Sequence, residues 1–376
     1  MKIMKEHLKK YIAGAVAIII YLVIIAFLSK TEKVPLVETE GREFEKAVVT
    51  EVLQDNLQEN GVRSGYQRLK VKLTTGENKG KEIEATSAEG NLFGAVCKQG
   101  DKVVVITSIS GASSTASIYS INREIPIACF VGIFFLMICI VGGKNGMKSV
   151  AALIFTFISI VYLFMPLLYR GYSPFFAAIL VVVLTTIVTM LLIGGTTIKS
   201  FSAIIGTTAG VLIAGISAAV FGHFAGIDGY NVSDIESLVF VGQNTKIQVG
   251  GLLFAGILIA SLGAVMDVAM AVASSMTEIY ENNKELEVGK LFRSGMKVGR
   301  DAMGTMSNTL ILAFVGGSIT TLVLDYAYDL PYLQLINSYS IGIEIMQGVA
   351  GSMGIIMTVP CVAFITSLLL TQELKK

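Results

Sequence analysis

Charge is scarce in this chain. Only 15% of its 376 residues are Asp, Glu, Lys or Arg, against about 25% in an ordinary soluble domain. The net charge of +1 argues against nucleic acid as a main partner. Tryptophan is absent, so anchoring at a membrane interface falls to Tyr, Lys and Arg. The four cysteines, Cys97, Cys129, Cys139 and Cys361, form no CxxC pair, which supports neither a disulfide framework nor a zinc site. Histidine is limited to His7 and His223. No GxSxG, HExxH or P-loop motif and no GxGxxG in a βαβ context occurs, so an enzyme is not expected, nor a cofactor or a resident metal.

Apolar length is what the chain has instead. It is 53% hydrophobic, with a mean hydropathy of +0.70. Eight runs, near 11–29, 125–142, 147–168, 173–194, 200–222, 249–271, 304–325 and 349–371, are long enough to cross a hydrocarbon core of about 30 Å. The first follows Lys2, Lys5, Lys9 and Lys10, and the SKTEK flank lacks a small-x-small cleavage site, so an uncleaved signal anchor is expected. Only Tyr169 to Tyr172 join the third and fourth runs, which predicts an antiparallel hairpin. The 38 glycines suit close helix–helix approach in lipid.

Lys and Arg in the short loops set the orientation. With both termini in the cytoplasm, the inner segments hold Lys2 to Lys10, Lys144, Lys148, Lys199, the stretch Lys284 to Arg300, and Lys375 and Lys376. The opposite short loops hold only Arg170 and Lys246, with Asp228, Asp234, Glu236, Asp325 and Asp329 among them. Residues 30–124 are then extracytoplasmic. EKAVVTEVLQ, YQRLKVKLTTG, KEIEATS and DKVVVITSI alternate apolar and polar residues, the pattern of half-buried strands. A turn is expected over Thr75 to Gly80, and Ser110 to Ser120 reads as a linker. The fold class expected is therefore a membrane all-α bundle of about eight helices with a small extracytoplasmic all-β domain, an OB-like or SH3-like barrel. The expected domains are 1–29 (tail and first span), 30–124 (barrel and linker) and 125–376 (seven-helix membrane part).

Two polar side chains stand inside apolar runs: Asp267 in LGAVMDVAMAVASSMTEI and Asn308 in GRDAMGTMSNTLILAFVGG. An ionisable group within a span is a functional-site hypothesis. Gly263, Asp267, Ala271, Ser274 and Glu278 share one helical face, as do Asp301, Thr305 and Asn308 on the next helix. Opposite directions of travel bring Asp267 and Asn308 to similar depth, in the cytoplasmic third of the membrane. A carboxylate there is expected to take up a proton or a cation, with Asn308, Ser307 and Thr309 as oxygen ligands. The bland reading is an interhelical hydrogen bond, or an ion pair of Asp267 with Arg300 or Lys297. The loop Glu278 to Asp301 is charged and amphipathic; an ordinary positive-inside loop with a short helix is the favoured reading, a segment lying on the inner surface beside anionic lipid the other. The Asp228 to Asn244 loop is acidic and amide-rich; a solvated loop is the favoured reading, a cation-attracting outer entrance the other. Glu344 and Gln347 are placed near the outer interface, and Pro360 is expected to kink the last helix.

These segments resemble the YibE/F-like family of bacterial multi-spanning membrane proteins. The likeness is carried by residues 262–279 and 299–317, and by the polar segments EKAVVTEVL, QRLKVKLTTGENKGKEIEA and QGDKVVV. It implies a bacterial cytoplasmic-membrane location and, by architecture, a transporter-like role. Its motif residues map to Asp267, Glu278, Arg300, Asp301, Thr305, Asn308 and Thr309, without assigning any of them a task. The leading expectation is an ion-coupled secondary transporter or permease for a small solute or ion, with the lipid bilayer as its surroundings and a homo-oligomer compatible with it. The second is a non-transporting scaffold whose barrel binds an envelope protein.

Overall fold

The computed structural model describes residues 21–28, 30–31, 33–36, 41–59, 61–88, 95–110, 113–232 and 234–373. They divide into two compact units, Pro35–Met137 on one hand, and Ile138–Lys376 with the described part of Met1–Val34 on the other.

Five strands of the first unit close into a barrel in the order β1-β2-β3-β5-β4. β1 (Arg42–Gln54), β2 (Gln67–Leu73), β3 (Glu82–Ser87) and β4 (Lys102–Ser110) lie where alternation predicted them. β2 buries every second residue, Gln67, Leu69, Val71 and Leu73, as the two-residue period of a strand requires. β1 runs antiparallel to β2 and to β4, so Ala47 sits opposite Leu73 on one side and Val103 on the other. Val49, Leu69, Val71, Val103 and Val105 form the centre of the core.

The segment expected to be a linker is instead β5 (Ser113–Ile121). It pairs antiparallel with β4 from Ser110↔Ser113 to Val103↔Ile121 and touches β3 in parallel at Thr86↔Ser117. Its Ser and Ala residues carry little strand preference. Pairing with the edge of β4 and burial of Ile118 override that local signal.

The second unit is helical. The described part of α1, residues 21–28, ends against the hairpin that follows it: Tyr21 Oη lies 2.8 Å from Ser159 Oγ, and Arg170 donates to the Phe27 carbonyl at 2.8 Å. The runs expected at 125–142 and 147–168 fall within one helical stretch, α2 (Glu124–Ser159), a π-helical turn (Ile160–Phe164) and α3 (Met165–Tyr169). α2 breaks at Gly143 (φ 53°, ψ −130°). Gly146 then packs against the Ile138 carbonyl. α4 (Pro174–Gly194) follows after a short turn, as predicted, and α5 (Ile198–Ala225) begins at a Thr197 cap that accepts from the Ser200 amide.

After α6 (Ile235–Asn244) come α7 (Leu252–Asn282), α8 (Val288–Gly317), α9 (Ile319–Ala327), α10 (Tyr332–Ile336) and α11 (Tyr339–Glu373). Five of the described helices are long and apolar enough to cross a membrane, or six if α8 and α9, bent by 61°, count as one. Three sequence expectations change here. The basic loop 278–301 is mostly helix, because Leu291, Gly295 and Gly299 recur every four residues and face the bundle. The run 304–325 is not one straight helix but bends at Ser318. The acidic loop between α5 and α7 contains α6.

α7 is the central helix, packed against α4, α5, α8 and α11. α5 and α11 meet along small residues. Gly210 lies against Thr358 and Gly354, and Gly206 against Val362. This is the small-xxx-small spacing that lets backbones approach in lipid, where apolar burial alone does not hold helices together. α11 continues through Pro360.

Candidate functional site

Asp267 stands at the midpoint of α7, fifteen residues from either end (Leu252–Asn282). At 1.5 Å per residue it is about 22 Å from each end. Most of the circumference of α7 is buried: Leu258, Ser261, Val265, Val268, Val272 and Met276 all face neighbouring helices. The opposite side is a narrow open stripe of Gly256, Ala260, Gly263, Asp267 and Ala271. The face expected from the sequence is therefore real, but it points away from the packed bundle. Nothing lies within 4 Å of where a Cβ would stand on Gly256 or Gly263, so the stripe is uncovered.

α8 runs antiparallel to α7. Gly295 lies against Met276 near one end. Toward the other, Leu310 and Ser261 converge on Gly351. That register sets Asp267 level with Gly304, and Asn308 level with Gly263, so the two polar groups stand about one helical turn apart in depth. Asn308 is exposed, on the side of α8 opposite its buried residues Gly299 and Leu310.

The other predicted ligands are dispersed. Thr305 Oγ1 donates to the Asp301 carbonyl at 3.4 Å and Thr309 Oγ1 to the Thr305 carbonyl at 3.0 Å, so both hydroxyls turn back on their own helix. Ser307 Oγ is buried without a hydrogen-bond partner. Arg300, Asp301 and Glu278 are exposed. Among the described residues Asp267 makes no hydrogen bond and no ion pair, so neither the interhelical bond nor a pair with Arg300 or Lys297 forms. What the arrangement provides is a solitary carboxylate halfway along an apolar helix, flanked by residues too small to shield it.

His223 is exposed in the last turn of α5, and Asp228 is engaged by the Tyr230 amide at 3.0 Å. No group of three or more His, Cys, Asp or Glu side chains among the described residues is placed to hold a metal ion. The sequence missed the bend at Ser318, for which Gly316-Gly317-Ser318 was the available signal.

The barrel keeps most of its buried polar groups engaged. Gln67 accepts from the Cys97 amide at 2.8 Å and donates to Asp55 at 2.8 Å. Hydrogen bonds from Arg63 and Gln67 hold the Asp55 carboxyl below the usual carboxylate range. Burial pushes the Glu45 carboxyl up, reinforced by the charges of Glu43 and Glu77 and opposed by Thr107. Burial, with Asp101 nearby, raises the Cys97 thiol to about 11, so it is inert rather than nucleophilic.

No curated protein and no solved structure gives a significant match to the chain. One family, described as YibE/F-like protein, matches residues 130–372. The match contains every candidate site residue and begins after the barrel, so the likeness of the polar segments to that family is not part of it. Covering well over half of the chain, and both segments that frame Asp267 and Asn308, this match assigns the protein to the YibE/F-like family.

Proposed function

We propose that the protein is a multi-pass protein of the bacterial cytoplasmic membrane that moves a small solute or ion, coupled to occupation of Asp267 by a proton or cation. One observation carries this reading: an unpaired carboxylate at the midpoint of an apolar helix, on a stripe of glycine and alanine. A charge at such a place is costly in hydrocarbon, and such groups typically mark ion or substrate paths. Neutralising Asp267 removes that cost and lets a neighbouring helix close over the small-residue stripe. The two packings are then two states that ligand occupation biases. Asn308, nearly level with it, is the polar neighbour to which a closed state would bring it. Eight spans, cytoplasmic termini and an extracytoplasmic barrel complete the reading. The charge asymmetry of the short loops supports it, and the five-stranded closure with one parallel contact suits an OB-type barrel.

A second reading has its own observation. Phe130, Phe134, Met137 and Val141 on α2 are exposed, and the α7 stripe is uncovered, so these faces suit another protein as well as lipid. In that reading the chain is a scaffold, self-associated or joined to an envelope partner, and Asp267 is an interface residue. The test uses purified protein in proteoliposomes and records proton exchange across a pH jump. Exchange present in wild type and lost in Asp267→Asn supports the transporter. Identical traces remove Asp267 from any titrating role and favour the scaffold.

A further inference from the structure

A second polar site lies where α8 bends into α9. There a half-open cavity of about 320 Å³ is lined by segments far apart in sequence. The loop after α5 supplies Asn231, the bend supplies Ser318 and Thr321, and the first turns of α11 supply Ser340, Glu344 and Gln347. Among the described residues no Lys, Arg or His lines it. Glu344 Oε2 and Asn231 Oδ1 are both shut off from solvent, and neither has a hydrogen-bond partner.

A buried carboxylate oxygen without a partner is costly, and native proteins resolve that by protonation, by pairing or by binding a cation. Among the described residues no cationic side chain lines this cavity. One turn beyond Thr321 on α9, Asp325 carries another buried, unpartnered carboxylate oxygen. It lies outside the cavity lining and adds negative potential beside it. The remaining polar groups offer hydroxyl and amide oxygens, which select a hard cation. A single lining carboxylate matches a single positive charge, whereas calcium sites of useful affinity gather more carboxylates. A helix broken within a span is also the backbone feature around which alkali-cation sites are built in transporters.

We infer that this cavity binds a sodium ion, with Glu344 supplying the charge and Asn231, Ser318, Thr321, Ser340 and Gln347 supplying neutral oxygens. The site joins α11, the α8–α9 bend and the loop after α5, so occupation ties these segments together. It goes beyond the Asp267 reading and does not rest on it, because binding is measured at equilibrium in detergent, with no gradient and no proton flux.

The experiment measures ²²Na⁺ binding to the purified full-length chain, with choline balancing ionic strength. Saturable binding displaced by unlabelled NaCl is expected in wild type. Glu344→Gln should weaken it about tenfold or more, and Thr321→Val several-fold. Absence of saturable binding up to about 100 mM Na⁺ overturns the proposal, as does wild-type affinity in both variants. If Glu344→Gln does not elute as a folded protein, Thr321→Val decides: weakened binding supports the site and unchanged binding overturns it. Displacement of ²²Na⁺ by micromolar Ca²⁺ overturns the assignment to a monovalent ion.

Discussion

The barrel and the helical bundle treat buried polar groups in opposite ways. In the barrel, Gln67 bridges Asp55 and the Cys97 backbone, and Ser87 exchanges hydrogen bonds with the Ala95 amide and carbonyl. Among the described residues of the barrel, Glu45 Oε1 alone is left over. In the bundle, the hydroxyls of Thr186, Ser202, Thr207, Ser352 and Thr366 are buried without partners. Those bundle side chains are chosen for size: they let helices approach, and their hydroxyl groups contribute little else. Against that background the carboxylates stand apart. Asp267 stands on an open stripe and Glu344 lines a cavity, so neither is explained by packing alone.

That contrast breaks most visibly at the helix contacts. Gly210 approaches α11 so closely that a Cβ would overlap Thr358 and come within 2.9 Å of the Gly354 carbonyl. Gly210→Leu should cost about 3 kcal/mol or more by overpacking. We expect loss of a cooperative thermal transition by circular dichroism in detergent; an unchanged midpoint would mean that α5 and α11 do not meet as described.

In the barrel the sensitive point is a hydrogen-bonding side chain rather than a small one. Gln67→Ala strands the Cys97 amide and opens a cavity, at a cost of about 2–4 kcal/mol. Hydrogen exchange of β2 and of residues 95–97 in the intact protein should speed up, with α5 and α11 unchanged. Equal acceleration in both units would merge what we describe as separate.

Charge sharpens the comparison further. The Glu45 carboxyl is raised by burial, so its charged form opposes folding at neutral pH, and the penalty fades as pH falls through its folded-state value. Glu45→Gln should therefore raise the barrel's melting temperature at pH 7, with the gain vanishing as pH falls toward the ordinary glutamate range. Asp55 has the opposite sign. Its depressed carboxyl stabilises the barrel above the usual aspartate value near pH 4, and that contribution is lost as pH falls through the lower folded-state value. The smallest effect is expected for Asp55→Asn, which should blunt acid destabilisation; a variant with an unaltered acid limb would show that the Arg63 and Gln67 contacts carry no linkage.

How much of this was written in the sequence depended on whether the signal was local. β1 to β4 announce themselves by alternation, and Asp267 by its apolar surroundings. β5 does not, because SSTASIYSI becomes a strand only once β4 offers it an edge. The helical reach of α8 into the basic stretch was hidden by charges on its outer face, while Leu291, Gly295 and Gly299 packed inward. The sequence placed Asp267 and Asn308 at comparable depth, which the α7–α8 register reproduces, yet it gave no direction for either side chain. Glu344 read as an interfacial residue, and Asn231 as part of a solvated loop. Only packing of segments more than a hundred residues apart brings the two into one cavity.

The most direct measurement is labelling of the full-length protein in liposomes with a hydrophobic carbodiimide, which attacks neutral carboxyl groups from the lipid phase, followed by peptide mass spectrometry. An open, unpaired Asp267 predicts an adduct on the α7 peptide that disappears in Asp267→Asn. No adduct at Asp267 between pH 5 and pH 8 would contradict it, and would place that carboxylate in a closed contact instead of on an open face of the membrane bundle.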